Sequence, residues 1–203
     1  AMNVADSVEL AHYGVHNDGE TPGIEGWTFY LWNDIDCKDM KPDANGAFVK
    51  ALTEGVAFDG KGYVLHNLML DFEHTAPSSG RVGLIGEIRG GRLRNLHLDF
   101  VTVRNMTVDA PSGCIAGCIS GGEVYGCTVR EAAMMCRDGV AGVLMIGGHV
   151  SDCKFHGMVQ AREMQDETGL DYKRIVDGVV GRMPSGFGGS VTGEIINRVL
   201  ITD

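Results

Sequence analysis

The sequence predicts an all-β fold, a single-stranded right-handed parallel β-helix, also called a β-solenoid. Two observations lead to this prediction. The first is an internal repeat, because residues 83–98 return without a gap as residues 114–129 and more weakly as residues 140–155. The second is the glycine content, 30 of 203 residues, which is about twice the usual share. Self-similarity at this period is typical of stacked coils, and the right-handed sense is expected from the rule for parallel crossovers.

The repeats align in three columns of apolar residues, counting free cysteine as a small hydrophobe. We expect each column to form one inward-facing ladder of the core, because a single coil cannot bury its apolar face alone. The columns are Leu65, Leu93, Val124 and Val150, then Leu68, Leu96, Cys127 and Cys153, and then Leu70, Leu98, Val129 and Phe155.

The alternation expected of a strand breaks between the first and second columns. Residues that tolerate a left-handed backbone stand at this break, namely Asn67, Asn95, Gly126 and Asp152. One such residue bends the chain and changes which face points inward. Each repeat is therefore predicted to consist of a strand, a corner and a second strand.

The 203 residues are predicted to form one domain. Residues 1–23 are expected to cap its open end, residues 24–82 to form lead-in coils, and residues 83–203 to form the regular repeats. The charged segment 157–174 interrupts the repeats and is predicted to be a surface loop or a short helix, a place where binding residues are often found.

A short amphipathic helix is predicted over residues 4–16, within the cap. Asp6 or Ser7 could be its N-terminal capping residue, with Glu9 in the first turn. This helix would cover the apolar end of the first coil.

The repeats resemble the GLUG-type repeats of bacterial surface and secreted β-helix proteins. Short glycine-bounded apolar motifs carry the resemblance, and an Asp-Gly-x-Gly corner lies in the lead-in coils. The motifs stand at 82–86, 113–117 and 177–181, the lead-in stretches at 26–36 and 58–68, and the resemblance covers about 24–201.

This resemblance implies a non-catalytic, adhesin-like role at the cell surface or outside the cell. No signal-peptide pattern is visible at the start of the chain, so the expected location rests on the resemblance. Related repeats also accompany surface peptidases, but the sequence contains no His-Glu-x-x-His motif. We predict no catalytic, cofactor-binding or metal-binding residue, and no cofactor.

The composition narrows the classes of partner. The net charge of −10 and the absence of a basic cluster in the sequence argue against nucleic acid, and the longest apolar run, 140–146, is too short to span a membrane. We expect a cell-surface glycan or a protein as the partner. Of the six cysteines, Cys127 and Cys153 share an inward column and are predicted to be buried free thiols.

One pair of carboxylates supports an alternative function. Asp71 and Asp99 follow equivalent leucines, so stacked coils would bring them to roughly 5 Å from each other. Such a pair could serve a carbohydrate-active β-helix, either a polysaccharide lyase or a glycoside hydrolase. The favoured interpretation is an exposed ion pair between Asp99 and Arg130, the next residue of this column.

Aromatic residues cluster in one early strand. Alternation places Trp27 and Phe29 on one face of this strand, and Tyr30 and Trp32 on the other. Exposed aromatic rings could stack on sugars, but the favoured interpretation is that one face fills the first coil and the other packs under the cap helix.

Overall fold

The computed structural model describes residues 2–6, 9–10, 26–42, 46–72, 81–105, 112–136, 144–145, 147–161, 189–192 and 196–202. This part of the chain contains sixteen β-strands. They are β1 (Met2–Val4), β2 (Thr28–Leu31), β3 (Ile35–Asp36), β4 (Ala47–Thr53), β5 (Ala57–Asp59), β6 (Val64–His66), β7 (Met69–Phe72), β8 (Gly83–Arg94), β9 (His97–Asn105), β10 (Ala116–Tyr125), β11 (Thr128–Cys136), β12 (Leu144–Met145), β13 (Gly148–Ser151), β14 (Lys154–Ala161), β15 (Gly189–Thr192) and β16 (Ile196–Thr202).

The strands form two sheets of stacked parallel strands. The first sheet runs in the order β1-β2-β5-β8-β10-β13-β15, with β4 also paired to β8 and β12 to β10. The second runs in the order β3-β6-β9-β11-β14-β16, with β7 also paired to β9. The chain alternates between the sheets and adds one level to each as it proceeds. This arrangement is a parallel β-helix and confirms the predicted fold class.

The repeat alignment is confirmed for the later coils. Val124 pairs with Leu93 on one side and Val150 on the other, and Val129 lies in the same way between Leu98 and Phe155. The second column also stacks as predicted from Leu96 to Cys153, since the carbonyl groups of Leu96 and Cys127 accept hydrogen bonds from the Thr128 and Lys154 amides of the next coil. All of these residues are buried in one continuous core.

The predicted register was wrong for the coil formed by residues 57–72. Leu65 pairs with Leu98, not with Leu93, and Leu70 pairs with Val103. The carbonyl of Leu68 accepts a hydrogen bond from the Thr102 amide. The three leucines are buried as expected, but the partner of each in the next coil stands five residues later in the sequence than predicted.

Two similar corners explain this error. The first corner contains Asn95, Gly126 and Asp152, with φ of 52°, 64° and 51°. The second corner contains Asn67, Phe100 and Glu131, with φ of 59°, 56° and 50°. The left-handed backbone predicted at Asn67 is therefore confirmed, but Asn67 occupies the second corner. The sequence Leu-x-Asn-Leu at Leu65–Leu68 looks like the first corner at Leu93–Leu96.

The chain starts with a strand where the predicted helix 4–16 should begin. Val4, the last residue of β1, pairs with Leu31 and is buried. After β1, the Asp6 carboxylate accepts a hydrogen bond from the Glu9 amide at 2.9 Å. The described residues contain no helix element, and the rest of the predicted helix, residues 7–8 and 11–16, lies outside the described residues.

The predicted insertion 157–174 also begins too early. Residues 157–161 continue β14 and pair with β11 and β16, because the sequence there still fits the strand columns. The remainder of the insertion, together with the motif at 177–181, lies outside the described residues.

Candidate ligand-binding cleft

An extended corner between β5 and β6 builds the candidate site. Asp59 pairs with Arg94 and Val64 pairs with His97, so residues 60–63 fill a corner that residues 95–96 make in the next coil. A Cβ atom at Gly60 would lie 2.4 Å from the carbonyl oxygen of Asn95. Only glycine fits this close approach, and the two additional residues are pushed outward.

The buried carboxylate of Asp59 fixes the shape of this corner. It accepts hydrogen bonds from the Lys61 amide at 2.9 Å and from the Asn95 side-chain amide at 3.3 Å. Its other oxygen lies 3.0 Å from Nε of Arg94 and 3.6 Å from Nζ of Lys61. Every acceptor position of the carboxylate therefore faces a donor or a cation.

These contacts lower the pKa of Asp59. Burial acts to raise the pKa of this carboxyl group, but the Lys61 and Asn95 hydrogen bonds, with the positive charges of Arg94 and Lys61, outweigh burial. The pKa of Asp59 is consequently held below its ordinary value, and the carboxylate is ionised at neutral pH.

The corner projects Lys61 toward an aromatic cleft. Nζ of Lys61 lies 4.5 Å from the centroid of the Tyr30 ring, a cation–π distance. Around this contact is an open cleft of about 520 Å³. The described residues that line the cleft are Asn3, Tyr30, Leu31, Trp32, Lys61 and Tyr63.

The early aromatic strand supplies one wall of the cleft. Phe29 is buried in the core as predicted, whereas Trp27, placed on the same face, is exposed, so the prediction that this face fills the first coil was wrong for Trp27. Tyr30 points outward, and the Trp32 side chain is 58% exposed. The prediction that this outer face packs under a cap helix was therefore wrong for Trp32, since the ring lies open to solvent beside the cleft.

Sequence reasoning did not identify Lys61 and Tyr63 as site residues. The signal that could have found them is the parallel pairing of β2 with β5, which stacks Tyr30 directly against Asp59. That pairing places the Asp-Gly-Lys-Gly-Tyr corner over the aromatic strand.

The predicted carboxylate pair is not formed. Asp71 pairs with Arg104, whose Nη1 lies 3.7 Å from its carboxylate. Asp99 pairs with His66 on one side and Arg130 on the other. The five-residue register error accounts for the separation of Asp71 and Asp99. The expected ion pair between Asp99 and Arg130 is confirmed at 3.2 Å.

The inward thiols lie in the core. Cys127 and Cys153 are free and completely buried, as predicted. A hydrogen bond with Cys153 and burial both raise the pKa of Cys127. Burial, with the nearby charge of Asp36, raises the pKa of Cys37 to about 12. The raised pKa makes Cys127 and Cys37 poor nucleophiles at neutral pH.

The described residues hold no group of three or more His, Cys, Asp or Glu side chains placed to bind a metal ion. Among the same residues, no helix is long and apolar enough to cross a membrane. Comparisons with protein-family models, curated proteins and solved structures give no match to this chain. The resemblance to GLUG-type repeats therefore stays a hypothesis drawn from the motifs.

Proposed function

We propose that this chain is a non-catalytic binding module, structural or adhesive, of a bacterial surface or secreted protein. Its ligand in this proposal is a cell-surface glycan bound in the cleft around Trp32. The extracellular location and the bacterial origin follow from the resemblance of the repeats to the GLUG type.

The exposure of Trp32 next to two tyrosines is the observation that carries the proposal. Large aromatic side chains are costly to leave in water, and an exposed aromatic group in a concave site is typical of an interaction surface. A flat ring can pack against the apolar face of a sugar, while Asn3 and the tyrosine hydroxyl groups can hydrogen bond to sugar hydroxyls.

The scaffold supports binding because it holds the cleft in a fixed shape. Tyr30 belongs to β2, which pairs on both sides with other strands, and Lys61 lies in a corner held by a buried carboxylate. A site that is ordered before binding loses little conformational entropy when the ligand arrives.

The glycan-degrading alternative has lost its structural basis. It required Asp71 and Asp99 on neighbouring coils at the same position, whereas each carboxylate lies beside an arginine on a different part of the second sheet. No other observation in the described part of the chain favours this alternative.

The test measures binding of the purified protein to a panel of neutral and acidic oligosaccharides by titration calorimetry. Trp32→Ala should weaken binding about tenfold or more, as removal of a central tryptophan does at other interfaces. Tyr125→Ala is the matched control, since Tyr125 is also an exposed aromatic residue of the first sheet but does not line the cleft.

Turnover should be followed in the same samples by release of reducing ends and of unsaturated products. Binding without turnover, lost in Trp32→Ala and kept in Tyr125→Ala, supports the proposal. Turnover that disappears in an Asp71→Asn, Asp99→Asn double variant would overturn it in favour of a carbohydrate-active enzyme.

A further inference from the structure

We infer that the cleft selects a sugar ring whose carboxylate or sulfate group carries a negative charge, and that Lys61 is the residue that recognises this charge. This inference rests on the proposed function, because it names the class of glycan for the same cleft. The juxtaposition behind it is a cationic side chain held beside exposed aromatic rings on a strongly acidic protein.

The charge of the cleft is opposite to that of the chain. The protein carries a net charge of −10, but Lys61 is the only charged side chain among the described residues that line the cleft. A surface that was acidic throughout would repel an anionic glycan. A positive cleft on such a protein therefore needs a local cause, and the Asp59 corner supplies one.

The corner buries its acid and exposes its bases. The side chain of Asp59 is 3% exposed, whereas those of Lys61 and Arg94 are 50% and 48% exposed. One negative charge thus lies beneath the surface with two positive charges above it. A ligand in solution meets the cations first, because the carboxylate is already surrounded by donors.

Lys61 has a defined position for a surface lysine. Its backbone has φ of 55° and its amide donates to Asp59, while its ammonium lies over Tyr30 and 3.6 Å from the Asp59 carboxylate. An ammonium group has three donors, and these two contacts restrict it without using all of them. The free donor can meet an acidic substituent of a sugar that packs on the neighbouring rings.

The same arrangement disfavours quaternary ammonium groups, which are another common class of ligand of aromatic clefts. Quaternary ammonium groups bind within cages of aromatic rings by cation–π attraction. Here Lys61 already occupies the face of Tyr30, and its charge repels a second cation. Charge therefore distinguishes an anionic sugar from a cationic ligand at this site.

The experiment uses two matched pairs of probes, titrated into the full chain by calorimetry. One pair is an oligogalacturonate and its fully methyl-esterified form, and the other is a sulfated galactan oligosaccharide and its desulfated form. We expect the charged member of at least one pair to bind about fivefold more tightly at low salt, the upper range for an exposed charge pair. The pair that shows the preference identifies the anionic group.

Variants of Lys61 assign the preference to this residue. Lys61→Gln should abolish the difference between charged and neutral probes but retain binding of the neutral ones, and Lys61→Arg should keep the difference. Arg94→Gln is the control, because it removes the same charge from the same carboxylate but not from the lining of the cleft. Circular dichroism and thermal melting should show that all three variants are folded.

Equal affinity for charged and neutral probes, or a preference unchanged in Lys61→Gln, would overturn the inference and leave the proposed function standing. Failure of the wild-type chain to bind any probe or any other glycan of the panel would overturn both.

Discussion

At the scale of single residues, a few positions with a left-handed backbone determine where the chain turns. Asn95 and Gly126 stand at one corner, and Asn67 and Phe100 at the other. Asparagine and glycine tolerate this conformation at little cost, whereas phenylalanine and glutamate do so less readily. Corner residues are thus under a backbone constraint that is independent of packing.

We expect Asn95→Val to destabilise the fold by about 1–3 kcal/mol, because a β-branched residue is strained at φ of 52°. Urea denaturation measures the change in the free energy of unfolding. Asn95→Gly is the control, since it removes the hydrogen bond to Asp59 but relieves the backbone. Equal losses in the two variants would mean that the hydrogen bond, and not the backbone, matters.

At the second corner, we expect a substitution that stabilises the fold. Glu131 is exposed and has φ of 50°, so Glu131→Gly should raise the free energy of unfolding, by up to about 1 kcal/mol, by relieving the left-handed strain. Thermal melting monitored by circular dichroism measures this gain. A lower melting temperature would show that the flexibility of glycine in the unfolded chain outweighs the strain.

The inward column should show the usual cost of a core deletion. Leu96 is completely buried, and Leu96→Ala should lower the free energy of unfolding by about 2–5 kcal/mol. Met69→Ala serves as the control, because Met69 lies on the outer face and is half exposed. A loss at Leu96 no larger than that at Met69 would contradict the inward placement.

At the scale of strands and corners, the corner of residues 60–63 serves both the fold and the candidate binding site. Gly60 lets the corner pass close to the next coil, and the carboxylate of Asp59 ties together Lys61, Asn95 and Arg94. The same residues that close the coil also place a cation in the cleft. A longer corner in one coil is thus enough to add a candidate binding site to a regular stack.

The Asp59 carboxylate of this corner should make the free energy of unfolding depend on pH. The folded-state pKa of Asp59 is lower than its ordinary value of 3.8, so the unfolded chain takes up the proton first as the pH falls. The stabilisation from Asp59 is therefore complete above about pH 5 and is lost progressively as the pH falls through 4 and below. Urea denaturation of the wild type and Asp59→Asn from pH 7 to pH 3 tests this.

We expect Asp59→Asn to cost about 1–3 kcal/mol at neutral pH, the range for loss of a buried charged hydrogen-bond partner. The difference between the two proteins should shrink as the pH approaches 3. A difference that stays constant with pH would show that packing rather than charge accounts for the loss.

Much of this element-level arrangement could be predicted from the sequence, and the exceptions have physical causes. The 83–98 and 114–129 repeats have equal length, so their columns gave the correct pairing of Leu93 with Val124. The coil of residues 57–72 was misplaced because its first corner is longer, while its second corner has an asparagine like the first corner of the next coil. The left-handed backbone is common to both corners, so only the pairing of the flanking strands distinguishes the two corners.

The cleft could not be predicted for a related reason. Tyr30, Lys61 and Tyr63 belong to two coils, and the sequence alone did not align these coils. The sequence analysis did identify the aromatic strand whose exposed rings could stack on sugars. It did not place Lys61 over Tyr30, because that position depends on the two additional residues of the corner.

At the scale of the whole molecule, one core runs through the stacked coils from Val4 to Phe155. The described strands β2, β5, β6, β8, β9, β10, β11, β13 and β14 pair with both the coil before and the coil after them, so the stability of a coil depends on its neighbours. Interior residues can reach solvent only when several coils separate together.

Thiol labelling measures this protection. Cys127 and Cys153 are completely buried, and at least one more coil stacks beyond each of them, so a polar thiol reagent should modify them only after large-scale unfolding and at rates that follow urea concentration. Mass spectrometry of peptides from native protein identifies the labelled residues. Rapid labelling of both cysteines in native buffer would contradict their inward placement.

The spacing of the paired strands also sets the order in which the protein can be made. Asp59 and Arg94 are 35 residues apart, and Asp99 and Arg130 are 31 apart, so a strand of these coils gains its second partner only after about one more coil has been synthesised. At roughly 5–20 residues per second that delay is a few seconds. Pulse-labelled hydrogen exchange on nascent chains of increasing length would detect protection that advances coil by coil. During translation, the newest coil is always the exposed one, and the next coil to leave the ribosome is what covers it.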